Sequence, residues 1–198
     1  MHLLDRVSNQ IRRFANRNYI LPLLALFFVV LFFMQRGPFG AARIKALSAG
    51  FGTLDMRFGY QTSEVASLFG QLGTAGRRDY THLLLLDFGF MLVYMLLQSL
   101  LITALMRKVQ LPARFDRLNL LPFLRSALDA AENLLLLSLL AAFPKTSTVV
   151  VTIASMLTIV KLAINYGYIA LVFAFGAIST RKSILQKINH TKEMRQGI

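Results

Sequence analysis

Four long apolar runs divide this chain, and more polar segments separate them. An α-helix needs about 20 residues to cross the hydrocarbon core of a bilayer, and each run approaches or exceeds that length. Pro22 and Pro122 suit first helical turns, and Pro144 directly follows the third run, where a helix should end. The pattern therefore predicts four membrane-spanning helices. Their expected spans are residues 19–34, 82–106, 119–143 and 149–178.

The connections between these runs differ in length. Only five residues, Pro144–Thr148, join the last two runs, so we expect these helices to form an antiparallel hairpin. A loop of 46 residues, Gln35–Tyr80, follows the first run, and with Thr81 it makes up the predicted outer loop, residues 35–81. A connection of this length without structure of its own is uncommon, so we expect the loop to be partly helical.

The outer loop contains the pattern of a short amphipathic helix. Thr62 or Ser63 can cap it, and Gly73 can end it. Between them apolar residues recur at helical spacing, so one face of the helix must be covered. These residues are Val65, Leu68, Phe69 and Leu72. We expect this helix either to pack on the outer end of the bundle or to lie in the membrane interface.

The composition agrees with a membrane protein. The 198 residues are 56% hydrophobic and their mean hydropathy is +0.56, which is too apolar for a soluble domain of this size. We predict an all-α, polytopic protein of a bacterial inner membrane or an organellar inner membrane. Its expected parts are a basic amphipathic segment (1–18), a four-span membrane domain (19–178) and a basic tail (179–198).

The formal net charge of +13 comes from cations in the segments that flank the apolar runs. No basic patch interleaved with aromatic residues occurs, so we expect anionic lipid headgroups rather than nucleic acid as the partner. Thirteen Lys and Arg residues lie in the N-terminal segment, the second connection and the tail, against seven on the other side. The positive-inside rule then places both termini on the cytoplasmic or matrix side. The expected headgroup contacts are Arg12, Arg13, Arg17, Arg107, Lys108, Arg181 and Lys182.

The two ends of the chain combine apolar and basic residues. Leu4, Val7, Ile11 and Phe14 recur at helical spacing, which predicts a helix lying in the membrane interface. The tail mixes apolar residues with cations and could bind either lipid or an acidic partner subunit.

Several kinds of chemistry are excluded or disfavoured. The chain has no cysteine, so it has neither disulfides nor a thiolate nucleophile nor cysteine-ligated metal. Its three histidines lie in three separate segments without metal-ligand spacing. No phosphate loop, dinucleotide fingerprint or nucleophile elbow occurs. We therefore expect no metal and no cofactor.

Three carboxylates and two cations interrupt the apolar runs. A charge in the bilayer core costs roughly 2.5 to 3.5 kcal/mol on insertion scales, so these groups need partners. Helical spacing gives one polar stripe to each of the last three helices, and the stripes should converge inside the bundle. A rise of about 1.5 Å per residue puts Lys161 level with Asp129 and Glu132, and Asp87 in a shallower layer. The predicted structural core comprises Arg125, Asp129, Glu132, Asn133, Lys161 and Asn165.

Two interpretations of these charges stay open. They can form a network that fixes which helices pack together, since interhelical polar bonds contribute on the order of 1 kcal/mol each. Alternatively they line a polar cavity open to the outer side, where Asp87, the acid without an obvious cation, holds or transfers a proton. Its expected neighbours are Tyr94 and one of the loop arginines, Arg57 or Arg78. The candidate functional residues are Asp87, Tyr94, Asp129, Glu132, Asn133 and Lys161.

The loop motif LDMRFGY adds a second candidate group. Asp55, Arg57 and Tyr60 flank a turn expected at Gly59, and with Arg78 they could build the mouth of a substrate site. The alternative is that such a charge pair with an aromatic residue only pins the loop in place.

Four short motifs carry a resemblance to other proteins. LDMRFGY, GRRDY, the LLD of the second run and the DAAEN of the third resemble a loosely defined group of small, uncharacterised four-span membrane proteins. The resemblance covers roughly Leu54 to Asn133. It implies the four-span topology and adds no activity, cofactor or catalytic residue.

We predict an accessory or scaffolding subunit of a larger membrane complex that contacts partner subunits and anionic lipids, and we favour this over an enzyme. The alternative is a membrane-embedded enzyme or proton-coupled carrier for a small amphiphile. An outer-open cavity that reaches Asp87 and the DAAEN segment would favour the alternative. A closed core with every charge paired would count against it.

Overall fold

The computed structural model describes the backbone of residues 3–196 and the side chains of residues 3–186, and this part of the chain is helical without any strand. The all-α prediction is confirmed. Two short 3-10 helices, Leu54–Met56 and Ala113–Leu120, lie in the connections. The helices are α1 (Leu3–Phe14), α2 (Arg17–Arg36), α3 (Ala41–Leu47), α4 (Thr62–Val109), α5 (Leu121–Ala142) and α6 (Thr148–Gln196).

Three helical stretches within the described residues are long and apolar enough to cross a membrane: Arg17–Leu47, Thr62–Val109 and Thr148–Gln186. Helix α5 has 22 residues, about 33 Å of helix, but three charged residues lower its hydropathy. It packs against both α4 and α6, so protein covers much of its surface.

Helices α4, α5 and α6 pack against one another, and α2 packs mainly on α4. The end of this bundle that carries residues 37–61 is called the loop end, and the opposite end is called the α1 end. Helices α4 and α6 meet towards the α1 end through a cluster that includes Ile102, Met106, Tyr168 and Phe175.

The predicted loop helix is present and packs on the loop end of the bundle. Its four apolar residues, Val65, Leu68, Phe69 and Leu72, are buried in one cluster with Leu136, Leu139 and Val151. The predicted cap was wrong, because Gln61 caps the helix. Its backbone N–H donates to the Glu64 side chain, which completes a capping box.

Helix α4 breaks at Gly73, where φ is 60° and ψ is −173°. This conformation is essentially restricted to glycine, and it ends the loop helix at the predicted residue. The chain resumes a helix at once, well before the expected start at residue 82. The GRRDY segment is part of this helix, and two of its side chains contact the rest of the protein: Asp79 accepts from Arg43 Nε at 2.6 Å, and Tyr80 is fully buried.

Helix α1 is bound to the 3-10 helix Ala113–Leu120. Arg12 pairs with Asp116, Arg117 pairs with Asp5, and the Asn119 amide donates to the Ser8 carbonyl. The predicted interface helix therefore has partners within the chain.

Three of the predicted headgroup residues make internal contacts at the α1 end. Arg107 donates to the carbonyls of Arg12 and Ala15, and Lys182 Nζ donates to the Val109 carbonyl at 2.7 Å. The other four residues are exposed: Arg13, Arg17, Lys108 and Arg181. The side chains beyond residue 186, which form most of the predicted basic tail, lie outside the described residues.

Candidate functional site

A cavity of about 420 Å³ lies within the bundle, beneath the 3-10 helix Leu54–Met56. Helices α2, α4, α5 and α6 all contribute to its wall, and it reaches down α4 as far as Gln98. There the Tyr168 hydroxyl donates to the Gln98 carbonyl at 2.9 Å, where α4 and α6 come together.

Lys161 lies between two carboxylates beside the cavity. Its Nζ atom is 2.5 Å from Asp129 Oδ1 and 2.5 Å from Glu132 Oε2. The Thr158 hydroxyl donates to the other oxygen of Glu132 at 2.6 Å. All four residues are buried, and the ammonium group of Lys161 is in direct contact with two acids.

Tyr94 and Arg125 contact the same carboxylate from the other side. The Tyr94 hydroxyl donates to Asp129 Oδ2 at 2.6 Å. The Arg125 guanidinium carbon lies 3.9 Å from the centre of the Tyr94 ring, and its nearest nitrogen is 4.0 Å from Asp129. Tyr94 was expected beside Asp87, but it lies seven residues further along α4, about 10 Å deeper, at the level of Asp129.

Asp87 has an amide as its partner and no cation. Its Oδ2 atom accepts a hydrogen bond from Asn133 Nδ2 at 2.8 Å. The prediction of a loop arginine beside it was wrong. Arg57 pairs instead with Glu64 at 3.1 Å and lies over the Phe51 ring, and the exposed Arg78 is absent from the cavity wall.

The expected loop mouth is only partly assembled, because Asp55 alone among its four residues lines the cavity. The backbone N–H of the fully buried Leu54 donates to the Tyr80 hydroxyl at 2.9 Å, which anchors the 3-10 helix above the cavity. Tyr60 pins the loop to α6 through a bond from its N–H to Ser155. Burial raises the pKa of the Tyr60 hydroxyl above its ordinary value, so this group stays neutral.

The charges around the cavity do not balance. Eight carboxylates lie within residues 3–186, and six of them form ion pairs with nitrogen–oxygen distances up to 4.0 Å. The two that do not are Asp55 and Asp87, and both line this cavity. Among the described residues no three His, Cys, Asp or Glu side chains come together as metal ligands.

Aromatic and aliphatic residues form the rest of the wall. Phe27 of α2 stacks on Phe90 of α4 with ring centres 5.3 Å apart, and Phe90 meets Tyr94 edge to face. Helix α6 adds Leu162 and Ile169. Helices α2 and α6 both line the cavity but share at most marginal contact with each other within the described residues, so helix packing does not close the wall between them, and this break is called the gap. No sequence signal singled out Phe27 or Phe90 among the chain's 16 phenylalanines.

Comparisons with known proteins add no identity to this geometry. No family model matches the chain, and neither a curated protein nor a solved structure is significantly similar to it. The resemblance of its short motifs to a group of four-span membrane proteins stays a prediction. The cavity is therefore the feature from which a function can be inferred.

Proposed function

We propose that this chain is a membrane-embedded protein that binds a small amphiphile in its cavity, as a carrier or an enzyme. The observation that carries the proposal is the cavity itself, which reaches Asp87 and Asp129 and has a gap between α2 and α6. If the charges served only to join helices, we would expect a closed core in which every charged group is paired.

The shape and polarity of the cavity suit a molecule with two unlike ends. Its volume of about 420 Å³ falls within the usual range for small-molecule sites. The polar end of the ligand would lie near Asp55 and Asp87, where it replaces part of their lost hydration. The apolar end of the ligand would pass between Phe27 and Leu162 and through the gap, where it can lie among the lipid chains of the membrane.

The roles of the charged residues follow from their partners. Asp87 contacts the ligand and is the group that exchanges a proton, because no cation holds it ionised. Asn133 orients Asp87 through its amide. Lys161 positions Asp129 and Glu132 through its direct contacts with both.

The proposal includes the four-span topology, with α2, α4, α5 and α6 all crossing the membrane and the α1 end on the cytoplasmic or matrix side. Two observations support it. Residues of α1, the Ala113–Leu120 connection and Lys182 lie at the same end and carry many of the chain's cations. The charges of α5 are buried or half-buried among its neighbours and need not meet lipid.

Substitutions of two adjacent residues on α2 test the binding cavity. Leu31 lines it, whereas Phe32 is 62% exposed on the helix surface. The Leu31→Trp substitution should fill the cavity and remove an amphiphile that co-purifies with the wild-type protein in mild detergent. Mass spectrometry of extracted small molecules measures the loss. The control Phe32→Trp should retain the ligand, and a ligand content that is equal in both variants and the wild type would contradict the proposal.

An accessory subunit remains the second candidate. None of the 20 residues of α2 is buried within the chain, and Phe28, Phe32 and Phe33 are exposed on it. Lipid or a partner helix can cover this surface. Recovery with a stoichiometric membrane partner in mild detergent would favour the subunit, and isolation as a ligand-binding monomer would count against it.

A further inference from the structure

We propose that the head group of the bound amphiphile is cationic, of the ammonium type, and that it lies between Asp55 and Asp87. This inference rests on the proposed binding cavity and adds the charge of the ligand to it. Four observations carry it: the unpaired acids, the cations beside other acids, the aromatic wall and the gap for a chain.

Asp55 and Asp87 reach the cavity from different parts of the fold. Asp55 stands on the 3-10 helix that covers the cavity, and Asp87 stands on α4. They are the two carboxylates within residues 3–186 that lack an ion pair. One oxygen of Asp87 accepts from Asn133, which leaves the other oxygen for a ligand. A cation between the two carboxylates would compensate both.

The two cations of the cavity wall already lie beside other acids. Lys161 is held 2.5 Å from both Asp129 and Glu132. Arg125 lies over the Tyr94 ring and near Asp129, in the deeper layer. An anionic head group bound beside Arg125 would lie in a cavity whose wall also carries Asp55, Asp87 and Asp129. The resulting repulsion disfavours an anionic ligand.

Aromatic rings line the cavity beside these acids. Phe27 and Phe90 stack on each other, Tyr94 follows along α4, and the buried Tyr80 lies near the cover. Alkylated ammonium groups bind well where carboxylates and ring faces meet, since rings attract a cation without strong hydration. The gap between α2 and α6, where helix packing does not close the wall, is the place where a hydrocarbon chain would leave the cavity. The same wall therefore suits both ends of an alkylammonium amphiphile.

The absence of tryptophan permits a direct binding measurement. A Phe27→Trp variant places one fluorophore in the cavity wall, and a Phe28→Trp variant places one on the exposed neighbouring position. The full-length protein in nonionic detergent is titrated with bromododecyltrimethylammonium, whose bromine quenches tryptophan on contact. Bromododecanol and bromododecyl sulfate have the same chain with a neutral and an anionic head. The Phe28→Trp variant reports quenching that arises only from partition into the micelle.

We expect saturable quenching of Phe27→Trp by the cationic probe and only linear, micellar quenching of Phe28→Trp. On the Phe27→Trp background, Asp87→Asn and Asp55→Asn should each raise the apparent Kd about tenfold, because each removes one charged contact to the head group. Glu64→Gln is the matched control, since Glu64 pairs with Arg57 away from the cavity. Its Kd should stay within about twofold of the parent value. If either Asp87→Asn or Asp55→Asn fails to fold, the other variant still tests the inference.

The outcomes separate this inference from the proposed function. Equal saturable binding of the neutral or anionic probe would overturn the cationic head group and leave the cavity as a binding site. No saturable quenching by any probe would overturn both. Free tetramethylammonium distinguishes an amphiphile from a soluble ion. We expect tetramethylammonium to displace the bromododecyltrimethylammonium probe only weakly. Displacement at a concentration similar to that of the probe would overturn the requirement for a hydrocarbon chain.

Discussion

At the scale of single residues, the polar core depends on Lys161. Two carboxylates share its ammonium group, and each has a second partner, Tyr94 for Asp129 and Thr158 for Glu132. Helical spacing and rise placed these three charged residues at one level before any contact was known. The partner of Asp87 could not be found in this way, because an amide, a tyrosine and a loop arginine were all compatible with its position.

Removing the ammonium group should leave two acids buried together. We expect Lys161→Met to lower the stability of the folded protein by about 3 to 5 kcal/mol, the usual cost of breaking a buried pair. Thermal unfolding in detergent, followed by circular dichroism, measures the loss.

Lys145→Met is the matched control, because Lys145 is exposed in the connection between α5 and α6. Its melting temperature should remain near that of the wild type. Equal melting temperatures for the two variants would show that Lys161 does not stabilise the core.

At the scale of elements, the loop helix and its junction with the rest of α4 set the cover of the cavity. The apolar spacing of residues 62–72 predicts a helix with one buried face, and that face packs on the bundle. Spacing alone did not decide what covered it, since the membrane interface was equally compatible. The packing depends on the direction that the chain takes at Gly73.

Two glycines of α4 provide a matched test of this junction. A methyl group added at Gly70 or at Gly73 would meet no packed neighbour within 4 Å, so neither substitution is opposed by a steric clash. Gly73→Ala should destabilise the protein by about 1 to 3 kcal/mol, because φ of 60° with ψ near 180° suits only glycine. Gly70→Ala, inside the helix, should stabilise it by up to about 1 kcal/mol. Chemical or thermal unfolding compares them, and a Gly73→Ala variant as stable as Gly70→Ala would show that the junction does not require glycine.

At the scale of the whole molecule, the cavity requires the loop and four helices at once. The absence of cysteine makes the topology directly testable, since single cysteines can be introduced without background. Gln110 and Ser147 are exposed and lie beyond opposite ends of α5. If α5 crosses the membrane, a membrane-impermeant maleimide should label Ser147→Cys and not Gln110→Cys in intact cells or right-side-out vesicles.

Permeabilised membranes serve as the control, in which both variants should react. Labelling of both positions from one side of an intact membrane would show that α5 does not cross. Labelling of Gln110→Cys alone would show that the bundle has the opposite orientation.

The sequence by itself determined the helical class, the apolar stretches and the level at which buried charges meet, because these depend on local periodicity and on a constant helical rise. It also located the loop helix and its end at Gly73. Only the tertiary structure decided that Asp55 and Asp87 line one cavity, that Arg57 pairs with Glu64, and that α2 and α6 line this cavity with at most marginal contact between their described residues. These features involve residues that are distant along the chain. The relative positions of such residues depend on how the helices and the loop pack together.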